Sequence, residues 1–380
     1  MKKGYLMTPG PTPVPKTVLD DMAQPIIHHR TSEFTAIAKE VNQKMKKAFL
    51  TENPVLIFAS SGTGAMESAV SNLKVPGTKA LVINGGKFGE RWGELCAAYG
   101  FDAVLLEVEW GKGVDVADVE QLLKKDPQIK VIYATLCETS TGVVNDVRNL
   151  AGLARKYDAI LVVDAVSGLL SDKLLTDEWG VDVVVSGSQK GFMMPPGLGF
   201  VSVSERAWKV AENATAPRYY FDWLLYRKSY AKDDFPYTPS VSLMFALKAA
   251  LDMILAEGVE NLVKKHALQA RAVREAMKAI GLDIFAASPS NGVTAVRGPE
   301  GVDTGQLTKK LRTERGMSIA GGQGDLKGKI FRIAHMGFID QEDILALLPE
   351  FEDVLSSLGY SFKKGETVRV AEEIMGCAQR

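Results

Sequence analysis

Lys190 lies in VSGSQKGFMMPPGLGF (185–200), between an apolar run and a turn rich in Gly and Pro. An amine among residues of that kind must be paired, lose its charge through a lowered pKa, or be used in covalent chemistry. Upstream, Asp164 closes the apolar run AILVVD (159–164), where a carboxylate can face a ligand or simply cap the following turn. SSGTGAMESAV (60–70) sets Ser, Thr and Gly directly before a helical pattern. Backbone N–H groups and hydroxyls at such a helix start suit a phosphate, and a plain N-cap reads equally well from it. It is not a dinucleotide fingerprint, because Glu67 stands where the last Gly or Ala is needed, and no GxxxxGK[ST] loop occurs.

Taken together, a phosphate cradle, a carboxylate and an enclosed lysine are the parts that pyridoxal phosphate chemistry requires. They would supply a Schiff-base lysine, an acid facing the pyridinium nitrogen and a phosphate site. Phe88, flanked by glycines in NGGKFGERW, suits a ring standing over a cofactor plane, or core packing. Thr139, Ser140 and Thr141 follow the apolar run IKVIYAT (129–135) and suit ligand contact or turn chemistry. Arg332 interrupts the apolar run IFRIAH and suits a carboxylate, unless it faces solvent. His28, His29 and His335 have no metal-ligand spacing with nearby Cys or acidic residues, so no metal is expected. There is no GxSxG nucleophile elbow.

The elements that must position these residues follow from periodicity. KALVING (79–85), DAVLLEVE (102–109), IKVIYAT (129–135), AILVVD (159–164), VDVVVS (181–186) and GFVSVS (199–204) read as strands. Helical patterns over 116–125 and 149–157 fall between them. Strands apolar throughout and separated by helices predict an α/β domain whose mostly parallel, mixed sheet is covered by helices on both faces. Ligands then gather at the carboxyl ends of the strands. Two long helices over 242–258 and 259–281 lead into a compact α+β unit with a strand at IFRIAH and a helix from Asp340. The expected division is an N-terminal arm over 1–18, a large domain over 19–257 and a small C-terminal domain over 258–380. The aromatic segment 215–240 is expected to be irregular.

Composition narrows the partners. The chain has 380 residues, 46% hydrophobic and 24% charged, with a formal net charge of -1, which leaves no electrostatic footprint for nucleic acid or an anionic membrane. Cys96, Cys137 and Cys377 are widely spaced and odd in number, as in a reducing compartment. With neither a signal-like segment nor an apolar run of membrane length, a cytoplasmic protein acting on small molecules is expected.

The chain resembles the class V, fold-type I aminotransferases, in the group of alanine–glyoxylate, serine–glyoxylate and serine–pyruvate aminotransferases. The small subunit attributed to soluble hydrogenases is grouped with them. The resemblance covers nearly the whole chain, through TPGPTPVP (8–15), HHRTSEF (28–34), SSGTGAMESAV, GGKFGERW, ETSTGV (138–143), VDAVSGL (163–169), SGSQKGFMMPPGLGF, YTPSVSL (237–243) and GGQGDLKGKIFRIAHMG (321–337). It implies pyridoxal 5'-phosphate on Lys190, Asp164 against the pyridine nitrogen, and Thr63, Gly64 and Ala65 on the phosphate with Gln189 beside the lysine. It further implies Phe88 stacked on the ring, Thr139 near the ring hydroxyl, and Thr238 reaching the phosphate from the partner of a homodimer with shared active sites. Arg332 would bind the substrate carboxylate, and Gly10 would line the substrate pocket. Leu136, where relatives often have His, and Phe235, where some have Tyr, depart from the pattern.

The implied reaction is ping-pong transamination between alanine or serine and glyoxylate or pyruvate. An aspartate-type enzyme is the alternative, with Arg218 or Arg30 serving the second carboxylate in the folded dimer. A cysteine desulfurase would need a mobile cysteine, and the loop 318–328 has none. A catalytically idle accessory subunit is the non-enzymatic alternative.

Overall fold

The computed structural model describes residues 5–376, so Cys377 and the outermost residues of the expected arm and small domain lie outside the described residues. Its largest sheet has seven strands, in the spatial order Val55–Phe58, Gly199–Val203, Val183–Gly187, Ile160–Asp164, Ile129–Thr135, Lys79–Asn84, Ala103–Glu107. Gly199–Val203 runs antiparallel to both neighbours, and the remaining pairs are parallel. All six strands expected from the sequence are present. Val55–Phe58 is added at one edge, where only four apolar residues gave little period to read.

Both faces are buried, and the pleat sorts the side chains between them. Leu81, Ile83, Ile132, Leu161, Val163 and Val184 enter the core on one face. Ala80, Val82, Val131, Val162, Val183 and Val185, their alternating neighbours, enter the core on the other. Each large side chain removed from water in this way contributes roughly 1.5–3 kcal/mol before chain entropy is set against it.

A second, three-stranded sheet, Val293–Arg297, Ile330–Ala334 and Ala320–Gly321, is antiparallel and has its own core. There Phe331 and Ile333 meet Leu347 and Phe351 of the helix Gln341–Ser357, which starts in a capping box built on Asp340 and Asp343. Gly258, at φ +86°, separates the long helices Val241–Glu257 and Val259–Ala279. The N-terminal arm crosses to this second unit, since Tyr5–Leu6 pairs in parallel with Met317–Ser318 and Met7 lies in the same core.

One expectation is corrected in the segment 215–240. It contains the helix Trp223–Tyr230, started by the Asp222 side chain accepting the Leu224 N–H at 3.0 Å and anchored by buried Trp223 and Tyr226. No helix among the described residues is long and apolar enough to cross a membrane.

Candidate active site

Five parallel strands deliver their following residues to one edge of the sheet. Val55–Phe58 leads to Ser61 and Thr63, Lys79–Asn84 to Phe88, and Ile129–Thr135 to Thr139. Ile160–Asp164 ends on Asp164, and Val183–Gly187 leads to Gln189 and Lys190. A narrow cavity of about 90 Å³ lies there, lined among others by Thr63, Phe88, Thr139, Asp164, Gln189 and Lys190. It shares Phe88, Thr139 and Lys190 with a wider cleft of about 740 Å³, whose walls include Gly10 of the arm and Arg332 of the small sheet. Thus Lys190, Asp164, Thr63, Phe88, Thr139, Gln189, Arg332 and Gly10 are brought together from positions spread over most of the chain.

Lys190 is 8% exposed, and its Nζ donates to the Pro9 carbonyl. Burial lowers its pKa to about 8, so about a tenth of the amine is uncharged at pH 7, far more than for an exposed lysine. The arm is fastened over it, with the Thr12 N–H on the Gln189 carbonyl at 3.1 Å and Thr12 Oγ1 on the Lys190 carbonyl at 3.0 Å. Gly10 sits at φ +101°, and a Cβ there would fall 2.3 Å from Lys190 Cε. Glycine is therefore required on both backbone and steric grounds.

Asp164 is 4% exposed and accepts the Val166 N–H at 2.8 Å. No ion pair neutralises it among the described residues, and burial raises its pKa to about 6. Gln189 Oε1 is also buried without a partner. These unmet polar groups point at a polar ligand held in the cavity.

At the other end of the cavity the helix Gly62–Leu73 begins, with Ser61 as its N-cap. The Gly64 and Ala65 N–H groups both turn to the Ser61 carbonyl, at 3.0 and 3.3 Å, and neither residue lines the cavity. Ser61 and Gly62 line it instead, beside Thr63, so the helix start presents residues two positions earlier than the sequence suggested. Reading Ser61 as the N-cap would have found them. Arg91, also missed, lies one turn beyond Phe88. Its guanidinium sits 4.9 Å from the centre of the Phe88 ring and donates to Thr63 Oγ1 at 3.3 Å, adding positive charge to the cradle.

Glu138 was missed as well. It is 1% exposed, and its Oε2 accepts the Phe88 and Gly89 N–H groups at 3.1 and 3.0 Å. Oε1 accepts Ser140 N–H at 3.1 Å and the Ser140 hydroxyl. A carboxylate at the first turn of Lys87–Ala98 satisfies free donors and complements the positive end of the helix dipole, and it sets Phe88 against the cavity. Burial nevertheless raises its pKa.

Arg332, 5% exposed, spends its donors on carbonyls rather than acids. Nε and Nη2 donate to Gly321 O at 3.0 and 2.8 Å, and Nη1 to Thr139 O at 2.8 Å. These bonds orient the fork without cancelling its charge, which leaves it suited to a carboxylate. Burial lowers its pKa to about 10, so it remains a cation at neutral pH.

Several expected residues lie elsewhere. Thr238 is exposed and lines neither cavity of its own chain. Arg30 pairs with Asp234 at 2.6 Å, and Arg218 donates to the carbonyls of Ala214 and Ala216 at 3.2 Å, so neither is placed to meet a substrate carboxylate in this chain. Leu136 is buried against Gly168, whose Cβ would fall 2.6 Å from Leu136 Cδ2; Phe235 is buried with its ring 6.2 Å from Phe34. Cys96 and Cys137 are buried free thiols, and no group of His, Cys, Asp and Glu suited to a metal ion is found among the described residues.

The family model for class-V aminotransferases matches residues 4–331. A protein described as the small subunit of a soluble hydrogenase, from Synechococcus, is 43% identical and aligns over 99% of both chains. An L-aspartate–glyoxylate aminotransferase from Paracoccus denitrificans is 38% identical over 97% of this chain and 95% of its own. Among solved structures, the ureidoglycine–glyoxylate aminotransferase of Bacillus subtilis superposes with a TM-score of 0.95 at 27% identity, covering 99% of both chains.

Proposed function

The chain belongs to the class-V aminotransferases, enzymes that use pyridoxal 5'-phosphate, and from that premise we propose that its cleft moves an amino group from an amino acid to a small 2-oxo acid in two half-reactions. The residues present fit the cofactor. Ser61, Gly62 and Thr63 with Arg91 would hold its phosphate, Gln189 has a buried oxygen in want of a donor, and Asp164 offers an uncompensated carboxylate to a cationic ring nitrogen. Gly64 and Ala65 would support that helix start from behind, Phe88 would lie along the ring, and Thr139 beside its hydroxyl. When bound, pyridoxal phosphate supplies an aldehyde to carry the amino group and a ring that takes up negative charge.

The chain's own part begins with Arg332, which would hold the substrate α-carboxylate and so fix the Cα near Lys190. Lys190, partly uncharged near pH 8, would take the α-proton of the donor and deliver it to the cofactor within the same half-reaction, and would run the transfer in reverse, onto the Cα of the acceptor, in the second. The Pro9 carbonyl, which accepts from Lys190 Nζ, would orient the amine between these roles. Gly10 leaves the space in which Nζ must swing. Asp164, ionised above about pH 6, would hold positive charge on the ring nitrogen facing it.

On this reading the acceptor is glyoxylate or pyruvate and the donor alanine, serine or aspartate. Thr238 would complete the phosphate site of a second copy in a homodimer. Its exposure outside its own cavity supports that assignment. The division into arm, large domain and small domain at 18/19 and 257/258 is proposed on the same basis, with separate cores for the two sheets in its support.

The observation that carries the reading is the convergence of Lys190, Asp164 and Arg332 on adjoining cavities. The test is the absorption spectrum of the purified holoenzyme, before and after L-alanine, L-serine or L-aspartate. Conversion of the visible band to the pyridoxamine form by at least one donor, reversed by glyoxylate or pyruvate, is expected. A protein that takes up no cofactor would instead support an accessory subunit, the reading suggested by the hydrogenase-subunit description of a relative.

A further inference from the structure

The wider cleft has a cationic wall that amino transfer from alanine or serine leaves unused. It is formed by the helix Thr304–Arg315, started by the Asp303 side chain. Thr304, Leu307 and Leu311 turn inward and are buried. Gly305, Thr308, Lys309 and Arg312, spaced i, i+3, i+4 and i+7, make a neighbouring stripe that lines the same cleft as Lys190 and Arg332.

The other two cations of this helix's C-terminal half are engaged elsewhere: Lys310 donates to Ser357 Oγ at 3.1 Å, and Arg315 pairs with Glu350 at 3.2 Å. Lys309 and Arg312 have no acidic partner among the described residues. The cleft itself is lined by Lys190, Lys309, Arg312 and Arg332 and by no Asp or Glu. Walls carrying one sign of charge concentrate ligands of the other sign. Arg332 accounts for a single carboxylate and Lys190 is occupied with proton transfer, so two cations remain for a second anionic group.

Resting on the amino-transfer reading, we propose that Lys309 and Arg312 form a second anion subsite. It receives the side-chain carboxylate or phosphate of an amino acid whose α-carboxylate lies on Arg332. The favoured substrates are then amino acids with an anionic side chain, and the small-domain helix sets that preference. Arg312 supplies a planar fork, and Lys309, three positions earlier on the same stripe, a mobile point charge.

Matched substrate pairs test this on the holoenzyme. L-aspartate is compared with L-alanine, and O-phospho-L-serine with L-serine, by the rate at which each converts the cofactor band in a single half-reaction. Arg312→Gln and Lys309→Gln are each expected to lower the anionic-to-neutral ratio of kcat/KM by roughly ten-fold. Arg315→Gln, outside the cleft, keeps the ratio of the unmodified protein. A fall confined to the aspartate pair identifies a carboxylate site, and one confined to the phosphoserine pair a phosphate site.

Calorimetry adds a readout that needs no turnover. Succinate should bind the holoenzyme more tightly than propionate, and Arg312→Gln should remove most of that difference. Ratios unchanged in both pairs, or succinate and propionate binding alike, would overturn the proposal. If no amino acid converts the band, the amino-transfer reading fails instead, and the calorimetry still reports on the subsite.

Discussion

Asp164→Asn should stabilise the cofactor-free protein while disabling the enzyme. The side chain is 4% exposed, accepts one N–H, from Val166, and makes no ion pair among the described residues. Its pKa is raised from 3.8 to about 6 in the fold, chiefly by burial. The folded state thus binds the proton more tightly than the unfolded chain does. Stability is lost as pH rises from about 4 to about 6, and the whole penalty is present at neutral pH. Two pKa units correspond to about 3 kcal/mol, and relaxation of the surroundings around the charge brings the expected effect to about 2.

Asparagine has nearly the same shape, can accept the Val166 N–H, and carries no charge to desolvate. Urea unfolding of the stripped protein should therefore show Asp164→Asn more stable by about 2 kcal/mol at pH 8, with the gap closing as pH falls toward 4. In the loaded enzyme the same substitution should cost more than about a hundred-fold in kcat, since the charge facing the ring nitrogen is gone. A variant no more stable than the parent at neutral pH, or a gap that ignores pH, would refute the claim that an uncompensated carboxylate is held there for a ligand.

Three further outcomes are expected. Because burial brings the Lys190 pKa down to about 8, the rate of pyridoxal phosphate uptake by stripped protein should rise with pH, reach half its limit near pH 8 and level off about one unit above in stopped-flow absorbance; a midpoint at about 10.5 would show an ordinary lysine. Gly10→Ala should fold, yet reconstitute with at least about ten-fold weaker cofactor affinity, because its Cβ would overlap the Lys190 side chain; fluorescence titration of the stripped protein measures it. Glu138→Ala strands the Phe88 and Gly89 N–H groups in a buried place and should cost about 3 kcal/mol in denaturant unfolding, whereas Glu138→Gln, which keeps an acceptor oxygen, should recover roughly half.

Much of the site was legible because its residues stand out locally. Lys190 and Asp164 each interrupt or end an apolar run, and in a parallel sheet such ends share one edge. Six strands stood out as short, nearly continuous apolar runs, and the long helices carried a period of 3.6. Where the local signal was weak the reading slipped. Val55–Phe58 is too short for a pattern, and the helix Trp223–Tyr230 hides among aromatics whose burial depends on distant partners. The sequence singled out Thr63, Gly64 and Ala65, whereas Ser61, Gly62 and Thr63 line the cavity, as an N-cap assigned to Ser61 would have suggested.

Residue type and spacing by themselves determined the layered α/β class and the strand ends where ligands gather, and singled out Lys190, Asp164 and Arg332 as candidates for the chemistry there. Only tertiary structure decided who stands beside them. Glu138 reaches the start of a helix some fifty residues earlier in the chain, Pro9 reaches Lys190 from the arm, and Lys309 and Arg312 line the same cleft as Arg332. Within this chain it places Arg30 against Asp234 and Arg218 on backbone carbonyls. Periodicity tells which side of an element a residue occupies, but charge pairing and cavity walls depend on contacts between elements far apart in sequence, which no local pattern encodes.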